Sequence, residues 1–90
     1  MKRVRVIITG NVQGVFFRAN VKEKAVELDL EGYVRNLDDG SVEAVFEGEE
    51  MDIEEMLEFC KEGPRKASVL DLEIIDEEYT GDFDGFEVRV

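Results

Sequence analysis

The chain has 90 residues, 43% of them apolar, enough for one domain with a modest core. Its formal charge of -12, from 11 Lys and Arg against 23 Asp and Glu, argues against nucleic acid or an anionic membrane surface as partner, because both would be repelled. There is no His and a single Cys, so the commonest general base, the commonest metal ligand and any intramolecular disulfide are absent.

In chain order, residues 3–9 alternate, with Val4, Val6 and Ile8 on one face and Arg3, Arg5 and Ile7 on the other, as a half-buried strand does. Residues 10–18, Gly-Asn-Val-Gln-Gly-Val-Phe-Phe-Arg, form a glycine-punctuated loop. From Phe17 the spacing becomes helical, with Phe17, Val21, Ala25 and Leu28 on one side and Lys22, Glu23, Lys24 and Glu27 on the other, ending near Asp29.

Residues 32–37 and 41–47 are two β-prone runs around Asp38-Asp39-Gly40, a hairpin signal. Two registers compete. A two-residue Asp-Gly turn puts Arg35 on the face of Val42, Ala44 and Phe46, whereas a three-residue loop with Gly40 left-handed puts Val34 and Asn36 there. The three-residue loop is the preferred reading.

Ile53, Met56, Leu57 and Cys60 make the stripe of a second helix that Gly63-Pro64 stops. Residues 69–75 alternate again, with Leu70, Leu72 and Ile74 opposite Asp71 and Glu73, and a short run over residues 86–90 closes the chain. The order predicts an α+β fold of the ferredoxin-like βαββαβ (split βαβ) type, a single domain over residues 1–90. It would have an antiparallel sheet, both helices on one face, and a short extra C-terminal strand whose neighbour the pattern leaves open. In that topology the first and second strands run parallel with the third between them, which brings Asn36 to the same sheet edge as the 10–18 loop, about 10 Å away.

The loop is neither a Walker motif nor G-x-G-x-x-G, so nucleotide binding gains no support. A glycine-opened backbone at a helix start, with Arg18 at its end, suits the oxygens of a terminal phosphoryl group. On the pattern alone, the glycines are equally explained as turn residues and Arg18 as the partner of a carboxylate.

Residues 10–18 resemble the first signature of the acylphosphatase family, G-x-V-Q-G-V-x-F-R. Gly32-Tyr33-Val34-Arg35-Asn36, followed by Gly40-Ser41-Val42-Glu43-Ala44 and Gly48, resembles the second. The similarity covers nearly the whole chain. It implies the ferredoxin-like fold and hydrolysis of an acyl or carbamoyl phosphate to a carboxylate and inorganic phosphate, without metal, cofactor or phosphoenzyme. By motif position it implies catalytic roles for Arg18, which would grip the phosphoryl group, and Asn36, which would orient the attacking water. Asn11, Val12, Gln13, Gly14, Val15, Phe16, Phe17 and Arg18 would form the phosphate-binding loop. Two positions depart from the family pattern: Asn11 stands where many members carry a basic residue, and Asp29 where a glycine often ends the first helix, so Asp29 is expected to be left-handed.

The composition is compatible with this chemistry, since Cys60 sits in a core stripe and no other nucleophile is evident. Gln13 suits either ligand contact or shaping of the loop. Arg35 reads as a solvated strand residue, and Phe16, Phe17 and Phe46 as core or loop anchors. The carboxylates at Glu49, Glu50, Glu54 and Glu55 do not follow a calcium-loop pattern, and no metal site is expected. A non-catalytic anion-binding module is the alternative function. An RNA-binding sheet is disfavoured, because Glu43, Asp71, Glu73 and Glu87 share the open face with Arg3 and Arg5. A monomer in the cytosol is expected, given an N-terminus without a signal-peptide pattern and no apolar run near the ~18 residues of a membrane span. The charge-dense, Gln-poor composition resembles that of proteins from hot environments.

Overall fold

The computed structural model describes residues 1–14 and 16–90. The chain runs β1 (Lys2–Asn11), α1 (Phe17–Glu27), β2 (Glu31–Asn36), β3 (Val42–Gly48), α2 (Glu50–Glu62), β4 (Ser68–Glu77) and β5 (Phe86–Arg89). The strands lie in the order β4-β1-β3-β2-β5. β3 pairs antiparallel with both β1 and β2, and β4 antiparallel with β1, while β5 adds to the outer edge of β2 in parallel. The expected ferredoxin-like order is present, but the fifth strand makes the sheet mixed rather than antiparallel.

One face of the sheet is the core face. Val4, Val6 and Ile8 of β1, Val34 of β2 and Val42, Ala44 and Phe46 of β3 join Phe17, Val21 and Ala25 of α1 and Ile53, Met56 and Cys60 of α2 in a single buried cluster. Alternation in the strands and helical spacing in the helices place these residues together, and burying them provides the main folding force. The hairpin adopts the three-residue loop. Leu37 N–H donates to the Ser41 carbonyl at 2.8 Å, Gly40 has φ +93°, and Asn36 faces Val42. At the end of α1, Asp29 is left-handed as expected (φ 57°), and Leu30 N–H closes the helix on the Ala25 carbonyl at 2.8 Å.

The expected alternation of β4 breaks at one residue. Thr9 pairs with Asp71 and Gly10 with Val69, so Leu70 is left over as a bulge and is 78% exposed. The extra residue flips the parity of the strand, so Val69 rather than Leu70 packs on the core beside Leu72. Gly10 belongs to this bulge. At φ +139° its Cα lies so close to β4 that a Cβ would overlap the Ser68 carbonyl oxygen and sit 2.9 Å from the Leu70 nitrogen. Its glycine is therefore required by strand packing, which accounts for it without a ligand.

Because β4 and β5 lie on opposite edges, residues 78–85 must cross the sheet, and they do so over the face away from the helices. Glu47, 1% exposed, anchors the crossing: its carboxylate accepts from Thr80 N–H at 3.0 Å, Thr80 Oγ1 at 3.1 Å, Gly81 N–H at 3.2 Å and Arg3 Nη1 at 3.3 Å. Phe83 packs edge-on to Tyr33 at 5.9 Å between ring centroids. Nearby, Glu43 accepts from Arg35 Nε at 2.6 Å, Arg5 Nη1 at 2.7 Å and Tyr33 Oη at 3.2 Å, and Glu77 pairs with both Arg3 and Arg5 at 2.8 Å. Arg35 is exposed, as expected of a solvated strand residue, and also joins this ion-pair network through Glu43.

Burial pushes the carboxyls of Glu43 and Glu47 up. The donors around each more than offset this and leave both below the ordinary carboxylate range. Since folding lowers the Glu47 pKa, its contribution to stability is complete above the unfolded value of about 4.3 and is lost as pH falls through the folded value. The Glu47→Gln variant should therefore be less stable than wild type by about 2 kcal/mol at neutral pH. The difference should shrink toward zero as chemical denaturation is repeated at pH values descending below about 4.

Candidate active site

The loop after β1 and the loop after β2 leave the sheet at the same edge, because β1 and β2 are parallel with β3 between them. A cavity of about 330 Å³ opens there, lined by Val12, Gly14, Phe16, Phe17, Arg18 and Ala19 on one side and by Asn36 and Val88 on the other. Its volume lies at the lower end of the ~300–1,000 Å³ usual for small-molecule sites.

Gln13 joins the two halves. Its side-chain amide donates to the Leu37 and Ser41 carbonyls, both at 2.8 Å, spending its nitrogen on the hairpin next to Asn36. Of the two roles open in the sequence, shaping the loop is the one the geometry carries. Val12 is 1% exposed and fastens the loop to the core beneath it.

The backbone then turns into α1. Gly14 has φ +73°, and Phe16 caps the helix in the left-handed region at φ 61°, ψ 21°. The Phe16 carbonyl accepts from Asn20 N–H at 3.0 Å and from Asn20 Nδ2 at 2.8 Å. The first turn of α1 carries no acidic residue, whereas that of α2 carries Glu50 and Asp52. The positive end of α1 is thereby left for an external anion.

Arg18 is half-buried and donates through Nη1 to the Arg89 carbonyl on β5 at 2.9 Å. This holds the stem of the fork against the last strand, while a guanidinium has four further N–H donors. Across the cavity, the Asn36 side-chain oxygen is buried and has no hydrogen-bond partner among the described residues. Such an acceptor costs free energy in any folded protein and marks a place where a donor belongs.

Not every residue of the expected loop reaches the cavity. Asn11 ends β1, paired with Ser68 and exposed to solvent, and it does not line the cavity. Val15 lies outside the described residues. Phe17 and Phe46 are buried as expected, but Phe16 is 77% exposed and is neither core nor anchor, because the left-handed cap turns it away from the interior. Ala19 and Val88 were not singled out from the sequence. Val88 reaches the site only because β5 pairs with β2, a neighbour relation with no signature in a short strand. Cys60 is fully buried, and burial pushes its thiol up to about 12, so it is no nucleophile.

Two helices on one face of a five-stranded sheet in the order β4-β1-β3-β2-β5 define a small α+β domain of the ferredoxin-like class, with Arg18 and Asn36 lining one cavity at the sheet edge. The family model for acylphosphatases matches residues 4–88. The chain is 53% identical over 87 residues to a protein of Haloarcula marismortui named acylphosphatase, covering 97% of this chain and 94% of that one. Among solved structures it resembles acylphosphatase from Bacillus subtilis, with a TM-score of 0.96 and 33% identity over 100% of both chains. It also resembles an acylphosphatase from Coxiella burnetii, with a TM-score of 0.91 and 41% identity over 98% of this chain and 92% of that one. The chain belongs to the acylphosphatase family.

Replacing Gln13 by Ala should lower the unfolding free energy by about 1–2 kcal/mol, the value of two amide hydrogen bonds whose carbonyls keep other donors. Urea titration should show a shifted midpoint with an unchanged slope.

Proposed function

We propose that this acylphosphatase hydrolyses the carboxyl-phosphate bond of acyl phosphates by direct attack of water on phosphorus. Water adds its oxygen to phosphorus, the P–O bond to the acyl group breaks, and that oxygen leaves with its electron pair as a carboxylate. The protons of the water pass to the phosphate product and solvent. A carboxylate is a good leaving group, so no strong general acid is needed, and placement with charge stabilisation supplies the catalysis.

The observation that carries this reading is that Asn36, whose side-chain oxygen has no hydrogen-bond partner among the described residues, lines the same cavity as Arg18. An amide is no base at neutral pH, but its oxygen can accept a hydrogen bond from water and so aim the water's lone pair at phosphorus. The free donors of the Arg18 fork, with the loop N–H groups over residues 12–17, would hold the phosphoryl oxygens, which bear the charge of the transition state. The loop stays pre-set for this because Gln13 ties it to the hairpin, so little reorganisation is paid on binding.

No described helix is long and apolar enough to cross a membrane. We infer a single-domain monomer of the cytosol that works without metal or cofactor and binds neither nucleic acid nor membranes, a reading supported by its charge of -12. The ion-pair network on the open sheet face supports a working temperature above the mesophilic range.

Release of phosphate from acetyl phosphate tests the proposal. Arg18→Ala should lower kcat/KM by about 10³ or more. Asn36→Ala should lower kcat by about 10²–10³ while inorganic phosphate still inhibits at a similar concentration. Wild-type turnover in Asn36→Ala would refute the role given to that side chain. Phosphate binding without any hydrolysis by the wild type would point to a non-catalytic anion-binding module.

A further inference from the structure

Phe16 is the residue whose placement neither the fold nor the phosphoryl site explains. Its ring is 77% exposed, whereas that of its neighbour Phe17 is 1% exposed and fills the core. It is one of only two non-glycine residues with positive φ among the described residues, and the other, Asp29, simply ends a helix. A bulky aromatic residue is a poor occupant of this backbone region, where glycine or asparagine would be unstrained. Asn20 nevertheless holds the conformation with two hydrogen bonds to the Phe16 carbonyl. Any residue would offer the same backbone N–H to an anion, so the phosphoryl grip does not call for a ring.

The cavity supplies the missing reason. Its two polar side chains, Arg18 and Asn36, are accounted for by the phosphoryl group and the water. Val12 and Phe17 are 1% exposed and belong to the core. The apolar surface left for the rest of a substrate is that of Phe16, Ala19 and Val88. An exposed ring beside an anion site, held there at a backbone cost, is suited to covering an apolar group attached to that anion.

Building on the acyl-phosphate reading of the site, we propose that Phe16 is its specificity-determining residue. Its ring forms an apolar wall against the acyl portion, so that acyl phosphates with aromatic or bulky apolar acyl groups are used in preference to acetyl phosphate. The phosphoryl contacts are common to all these substrates and cancel from the comparison. The acyl contact with Phe16 does not.

The test is kcat/KM for benzoyl phosphate and acetyl phosphate, each divided by the rate of its uncatalysed hydrolysis, in wild type, Phe16→Gly and Phe16→Leu, with a thermal melt of each variant. Glycine suits the left-handed position, so Phe16→Gly should fold. Its benzoyl-to-acetyl ratio should fall about three- to tenfold below wild type, with Phe16→Leu between the two. A general disturbance of the loop would lower both substrates together and leave the ratio unchanged. A ratio within about twofold of wild type in Phe16→Gly, with both compounds still hydrolysed, overturns the assignment of Phe16 alone. Failure of the wild type to hydrolyse either compound overturns the acyl-phosphate reading and the role of Phe16 with it.

Discussion

The position of β3 is the constraint on which the rest depends. Flanked by antiparallel neighbours on both sides, it forces β1 and β2 to run parallel and to release their loops at one edge of the sheet. Every residue of β3 is buried, Glu43 and Glu47 included, because helices cover one face and the arginines, Tyr33 and residues 78–85 cover the other. The two halves of the site therefore leave from the strands on either side of a fully buried one, and Gln13 ties them across the gap. Precision in such a site comes from the scaffold, with loops contributing only short, tethered segments.

A chain of charge -12 must make any anion site locally, and its charges are sorted in a way that allows one. Arg3, Arg5 and Arg35 are taken up on the open sheet face by Glu43, Glu47 and Glu77. Arg18 is left at the cavity, bonded to a neutral carbonyl, beside a helix start free of carboxylates. Favourable charge within a few ångströms outweighs a larger net charge spread over the surface, because solvent and salt screen the distant groups within about 8–10 Å.

Most of the fold was legible because its determinants are local. Period-two alternation marked β1, period-3.6 stripes marked both helices, and Asp38-Asp39-Gly40 marked the hairpin while leaving two registers, of which the preferred one puts Asn36 on the core side at the sheet edge. Leu70 was misplaced because a bulge adds one residue without a residue type to announce it, and every side chain before it changes face. The reason for Gly10 was not legible, because a requirement for close strand approach and one for close ligand approach look alike in sequence. The place of β5, and with it Val88 at the cavity and Arg89 behind Arg18, followed from packing between distant segments that no local pattern records. For Gln13 the sequence left ligand contact and loop shaping open, and only the placement of the hairpin carbonyls decides between them.

The central claim is that the loop and the hairpin act as one phosphoryl-binding site. Its most direct test is a titration with inorganic phosphate followed by ¹⁵N NMR. The backbone amides of Gly14, Phe16 and Phe17 and the side-chain amide of Asn36 should shift together along a single binding curve, and Arg18→Ala should abolish that curve. Shifts confined to the loop, with the Asn36 side chain unmoved or following a different affinity, would contradict the account.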